Sequence, residues 1–172
     1  MLTSNAVSGY SGGGKGMISE FENGGQPTAW RSYALGLNHK HVPEMRAHSG
    51  LDVAPIFAPS VANMFSGMIV EVPLHLSALP GRPTAAALRD ALAAHYAGSP
   101  IVRVVDDYGA GTLGIERLSG TDRLDLFVFG DEGDRQVRLV AALDNLGKGA
   151  AGAAVQSLNL MAGLPETEGL RL

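Results

Sequence analysis

The 172-residue sequence predicts an α+β fold built on a mixed, largely antiparallel sheet. Three observations carry that expectation. Segments that read as strands outnumber those that read as helices. The last two strand segments are separated by a hairpin-length turn. Residues 67–77 alternate along their whole length. The length fits one domain with a core of its own. A content of 45% hydrophobic against 17% charged residues excludes a disordered polyelectrolyte. The 23 glycines follow no period and so mark turns rather than a triple helix.

The elements follow in chain order. Residues 2–8 read as a short strand feeding a glycine loop. Met17, Ile18 and Phe21 recur at helical spacing over 16–23, with Lys15 at the mouth of that helix and Gly24-Gly25 as its stop. Residues 26–37 read as an irregular connection, and Pro43 opens a short helix that Gly50 ends. In 67–77, Met68, Val70, Val72, Leu74 and Leu76 share a face expected to be buried. Ile69, Glu71, Pro73 and His75 share one expected to be wet. That wet face is the expected surface of self-association. Pro73 lacks a ladder donor, which predicts an edge or a bulge. Thr84 is expected to cap a helix through Ala97, with Leu88, Leu92 and Tyr96 on one stripe and Gly98 as the stop. Strands are predicted over 101–105, 124–129 and 136–143, the last two joined by the turn 131–134. A final helix over 149–162 carries Ala151, Val155, Leu158 and Ala162 along one side.

Composition narrows function. A formal net charge of -4 gives no clustered cations for nucleic acid. No apolar run approaches the roughly 20 residues of a membrane span, and the N-terminus lacks a basic-then-apolar signal pattern. A cytoplasmic protein is the expectation. Zero cysteines remove disulfides, thiolate metal sites and thiol catalysis together.

Three motifs invite a function and lack its other parts. Gly9 to Lys15 has the Gly-x4-Gly-Lys body of a phosphate loop, but Gly16 stands where a magnesium-holding hydroxyl belongs. Gly9-Tyr10-Ser11-Gly12-Gly13 fits a nucleophile elbow, yet at most one short strand precedes it and no acid-then-His order follows. A serine hydrolase is thus a rival without its triad. Gly109-Ala110-Gly111-Thr112-Leu113-Gly114 fits a dinucleotide fingerprint, but the strand at Leu124 leaves no room for its helix, and the segment reads as a flexible loop.

Three other stretches gather the chemistry. Ser8-Gly9-Tyr10-Ser11-Gly12-Gly13-Gly14-Lys15, Asn38-His39-Lys40-His41-Val42-Pro43-Glu44-Met45 and the run from Asp144 through Gly147-Lys148-Gly149 to Gly152 bring together histidines, lysines, a carboxylate and glycines. Such groups hold an anionic substrate and move a proton. Glu44 could join His39 and His41 as a third metal ligand, but nothing supplies a fourth position, so no metal site is expected. His48, His75 and His95 stand alone and read as surface or packing residues.

These stretches, with Pro55-Ile56-Phe57-Ala58-Pro59-Ser60-Val61 and Phe127-Val128-Phe129-Gly130, resemble the shorter bacterial form of N-acetyl-gamma-glutamyl-phosphate reductase over nearly the whole chain. The resemblance implies a semialdehyde-dehydrogenase-like C-terminal domain, with helices packed on one face of the sheet. It also implies a two-domain subunit of which residues 1–172 are the substrate-binding and dimerisation domain, the N-terminal dinucleotide-binding domain being absent. The implied reaction is NADPH-dependent reduction of N-acetyl-gamma-glutamyl phosphate to N-acetylglutamate semialdehyde, in a homo-oligomer (dimer or tetramer), for arginine biosynthesis. The nucleophilic cysteine has no counterpart here, so the chain alone is expected to be inactive and to hold no NADP(H). On this reading Ser11, Gly12, Gly13, Lys15, His39 and Lys40 bind substrate, and Asn145 and Gly147 approach the cofactor. His41 is the acid/base, favoured over His39 because a turn at Pro43 would bring Glu44 to its second ring nitrogen. The final helix is expected to be poorly buried. Aspartate-semialdehyde dehydrogenase and a non-catalytic dimer-forming module are the alternative readings.

Overall fold

The computed structural model describes residues 2–24, 28–106, 109, 111–131, 133 and 135–172. The strands are β1 (Thr3–Gly9), β2 (Trp30–Ser32), β3 (Ile56–Ala62), β4 (Met68–His75), β5 (Val102–Val104), β6 (Leu124–Gly130) and β7 (Gln136–Leu143). The helices are α1 (Gly14–Asn23), α2 (His41–Ser49), α3 (Ala85–His95) and α4 (Gly152–Ala162). One sheet runs in the order β2-β3-β1-β4-β7-β6-β5. Four of its six pairings are antiparallel, and only β1 with β3 and β5 with β6 run parallel. The mixed, largely antiparallel α+β expectation holds.

Strand β4 lies in the middle of the sheet, not at an edge. Pro73 is tolerated there because β4 outruns its neighbour: β1 pairs with it only from Met68 to Glu71, while β7 pairs with it through His75. The Leu76 N–H turns to Arg135 of the β7 side. By alternation Pro73 faces the flank that β1 has left open, where no donor is required.

The expected wet face of β4 needs correction. Ile69 is buried in the main core with Leu118, Phe127, Val140 and Ala142. The cover comes from the segment between β5 and β6, of which only 109–114 carried an expectation, that of a flexible loop. Leu113, Ile115 and Leu118 lie against the sheet there, and a side chain on Gly67 (φ 120°) would overlap the Ile115 carbonyl. Pro73, farther along the same face, stays exposed, and Glu71 is ion-paired with Arg138 of β7. Helix α3 packs on β5 and β6. The Thr84 hydroxyl accepts from the Ala87 N–H at 3.1 Å, the N-cap read from the sequence.

Two strands went unread. Residues 30–32 form β2 within the supposed irregular connection, and β3 carries Pro59 one residue past that pairing, where its carbonyl accepts the Tyr33 N–H at 3.2 Å. Gly25 and part of the 131–134 turn (Glu132, Asp134) lie outside the described residues, as does Ala110. Among the described residues no helix is long and apolar enough to cross a membrane.

Candidate functional site

The site is assembled at the end of the sheet where β1, β4 and β7 meet. Strand β1 runs into a 3-10 turn, Tyr10–Gly13, and directly into α1. The turn is sewn to residues 64–67 by three backbone bonds. The N–H of Gly9, Tyr10 and Ser11 donate to the carbonyls of Gly67, Met64 and Phe65 at 2.8, 2.8 and 3.1 Å. Gly9 permits this approach, since a Cβ there would stand 2.6 Å from the Phe65 oxygen. Gly13, the N-cap of α1, has no side-chain cap bond, and the Gly14 N–H donates to the Ser11 carbonyl. The turn thus runs straight into a helix N-terminus, the end that favours an anion.

From the far end of the chain, β7 delivers Asp144 and Asn145. Asp144, almost wholly buried, accepts from the Gly120 N–H at 2.5 Å, the Leu146 N–H at 2.8 Å and the Ser66 hydroxyl at 3.3 Å. It is structural, and it fixes the backbone beside it. Asn145 donates from Nδ2 to Ser11 Oγ and accepts at Oδ1 from the Gly67 N–H, both at 2.9 Å. A π-helical turn, Gly147–Ala151, leads on into α4.

The third part is the start of α2. His41 Nδ1 and Glu44 Oε2 lie 2.6 Å apart, the pairing expected from the turn at Pro43. That hydrogen bond is the first reason the Glu44 carboxyl titrates below its usual range. His39 is half-buried, with its ring edge-on to Phe57 at 5.1 Å and tilted toward Tyr33 at 5.6 Å. Its Nδ1 accepts the His41 N–H at 3.2 Å, so neutral His39 carries its proton on Nε2. Burial, then the neighbouring His41 and Lys40, lower its pKa.

These parts enclose a cavity of about 440 Å³. Gly12, Gly13, His39, Lys40, His41 and Asn145 line it, so six of the residues singled out from the sequence converge. Ser11 lies beneath the turn, 4% exposed, with its hydroxyl on Asn145 rather than in the lining. Lys15 is exposed on the first turn of α1 and does not line the cavity. Glu44 stands behind His41. Gly147 is buried away from the cavity, where a side chain would overlap the Thr121 carbonyl; Gly149 lines the cavity from the same turn. Lys148 is spent on Gln156 Oε1 at 2.5 Å. Ser8, Tyr33, Phe57 and Ser60 are among the other lining residues and were not singled out individually as site residues. Phe57 and Ser60 belong to a segment that carries the resemblance, which was the available signal for them.

The family model described as semialdehyde dehydrogenase, dimerisation domain, matches residues 1–145. The chain belongs to this family. Among curated relatives, the N-acetyl-gamma-glutamyl-phosphate reductase of Rhizobium etli is 54% identical over 93% of this chain. That of Brucella anthropi is 51% identical over 92%. The chain spans about half the length of these relatives, 54% and 53% respectively. Among solved structures, a probable aspartate-semialdehyde dehydrogenase from Pseudomonas aeruginosa superposes with a TM-score of 0.69 at 19% identity, covering 94% of this chain and 54% of that one. Aspartate semialdehyde dehydrogenase II from Vibrio cholerae gives 0.65 at 18%, covering 94% and 55%. At that identity the structural neighbours speak for the fold. The family resemblance read from the motifs is borne out, and the family is one of oxidoreductases.

Proposed function

We propose that this chain is the substrate-binding and dimer-forming part of an NADPH-dependent reductase that converts N-acetyl-gamma-glutamyl phosphate to N-acetylglutamate semialdehyde. The observation that carries this reading is the meeting of the 12–13 turn, the His39 and His41 corner and Asn145 around one cavity. The chain that builds it is about half identical to reductases of that name.

An acyl phosphate is negatively charged, and its reduction requires proton traffic at the reacting carbonyl. A thiolate displaces phosphate to give a thioester. Hydride addition and collapse then release the aldehyde and regenerate the thiolate. The chain contains no cysteine, so the nucleophile would belong to polypeptide beyond these residues, and the chain alone would not turn over. A nicotinamide dinucleotide supplies the hydride when bound. The described residues of 109–114 open no helix that could cradle its diphosphate, so this chain would offer it an edge at Asn145 and no more.

Its own residues have three tasks. Glu44 holds Nδ1 of His41, which keeps the proton there and leaves Nε2 to take and return one at the carbonyl oxygen and the thiol. His39, neutral with Nε2–H outward, donates to substrate oxygens, and the Lys40 ammonium adds charge beside it. The Gly12 and Gly13 turn, with Ser11 behind it and the N-terminus of α1 opening from it, receives the anion, and Lys15 adds charge from the exposed first turn of that helix.

The test is titration of the chain with N-acetyl-L-glutamate, an unreactive relative of substrate and product, followed by NMR. The expected result is saturable shifts at Gly12, Gly13, His39 and Lys40. Shifts confined to other surfaces would contradict the assignment.

A further inference from the structure

We infer that Asn145 is a positioning residue: its amide fixes Ser11 as a hydrogen-bond donor and holds the 12–13 turn in place for the substrate's anionic group. This rests on the anion-binding reading above and adds a device to it. The backbone N–H of Gly67 can only donate, so its 2.9 Å bond to Asn145 identifies the carbonyl end of that side chain. The amide end therefore faces Ser11 Oγ, also at 2.9 Å. The Ser11 hydroxyl is thereby an acceptor toward Asn145, and its single proton is left for another acceptor. Ser11 is only 4% exposed and does not line the cavity itself, but an unspent hydroxyl proton there is costly, so an oxyanion that settles against the Gly12 turn beside Asn145 is its natural recipient.

Two further observations make this a built arrangement. Gly12 has no side chain where a Cβ would stand 3.4 Å from Asn145 Nδ2 and 3.6 Å from Ser8 Oγ, which leaves both groups uncovered toward the cavity. Asn145 also cannot drift. The preceding Asp144 is locked by three donors, and its carbonyl accepts the Gly149 N–H at 2.9 Å in the π-helical turn that follows. The clamp thus joins residues 134 positions apart in sequence, and it transmits the rigidity of a buried carboxylate to the mouth of the cavity.

The test is titration of the 172-residue chain with inorganic phosphate, read at the Gly12 and Gly13 amides by NMR, with melting temperature measured in parallel. Ser11→Ala and Asn145→Ala should each weaken phosphate binding roughly ten-fold, the size of one charge-assisted hydrogen bond. The double variant should be no weaker than either single one, since both remove the same donor. Asn145→Asp preserves the bond from Gly67 but accepts the Ser11 proton. It should keep the parent melting temperature and bind at least ten-fold more weakly. Because its charge alone repels phosphate, the deciding comparison is Ser11→Ala in that background. This should weaken binding no further, whereas a purely electrostatic loss would leave the full Ser11→Ala effect in place. Independent, multiplying effects in the double variant, or an Asn145→Asp chain that binds like the parent, would overturn the inference and leave the anion site standing. A parent chain whose Gly12 and Gly13 amides ignore phosphate would overturn the site itself and this inference with it.

Discussion

Of the carboxylates that meet basic side chains, Asp125 and Glu44 are put to opposite use. Asp125 of β6 is 0% exposed. Arg103 grips both of its oxygens at 2.9 and 2.7 Å, and Arg117 adds a third contact at 3.2 Å. Arg117 also lies 5.5 Å from the centre of the Phe127 ring. Glu44 of α2 is exposed and touches His41 through one nitrogen, leaving the other free at the cavity. Inside the core a carboxylate spends its capacity on holding parts together. At the rim it spends one oxygen on orienting a base. Titration follows the same division, with Asp125 raising the Arg103 pKa chiefly through hydrogen bonding and His41 lowering that of Glu44.

The comparison breaks first at its structural half. Asp125→Ala removes the buried carboxylate on which two guanidinium groups, 51% and 28% exposed, converge, and should cost about 2 kcal/mol, less than a fully buried pair because water reaches both arginines. Urea unfolding measures this, and a loss under about 1 kcal/mol would show that the arginines simply turn to solvent.

Glycines sharpen the same contrast. Gly147→Ala must push against the Thr121 carbonyl and should destabilise by about 2 kcal/mol, in the range of overpacking. Gly12→Ala meets only ordinary contacts and should change stability by less than about 0.5 kcal/mol. It should nevertheless weaken phosphate binding, because the new methyl covers Asn145 and Ser8. Equal effects on folding would erase the distinction between a packing glycine and a binding one.

The smallest effect is one of pH. His39 titrates below its ordinary value in the fold, so the folded state binds its proton less readily than the unfolded chain does. Its contribution to stability is present above the unfolded pKa of about 6.5 and is lost as pH falls from there toward the folded value. Stability of the parent should therefore decline across that window more steeply than that of His39→Gln. Identical slopes would remove burial as the cause.

Much of this was legible because it is local. The strand read over 136–143 after the hairpin-length turn has the boundaries of β7, Thr84 sits one residue before its helix, and Glu44 lies one helical turn from His41. The exposed stripe of α4 was likewise expected, and Leu158 and Val155 lie open to water. What escaped depends on distant partners. Nothing near Ile69 in sequence says that residues 113–118 fold across it. No periodicity ties Asn145 to Ser11, and a glycine chosen for packing, such as Gly147, looks in sequence like one chosen for a ligand. Pro73 read as an edge or a bulge because the strand that stops short of it is set by the sheet, not by its neighbours in sequence.

The most direct measurement compares His41→Asn with His39→Asn in a reductase of full relative length that carries these 172 residues. Loss of the proton-transfer group typically costs about 100- to 10,000-fold. His41→Asn should therefore reduce kcat by that order with folding intact, and His39→Asn should act mainly on KM. If His41→Asn retains near-normal turnover while His39→Asn abolishes it, the division of labour drawn here is contradicted.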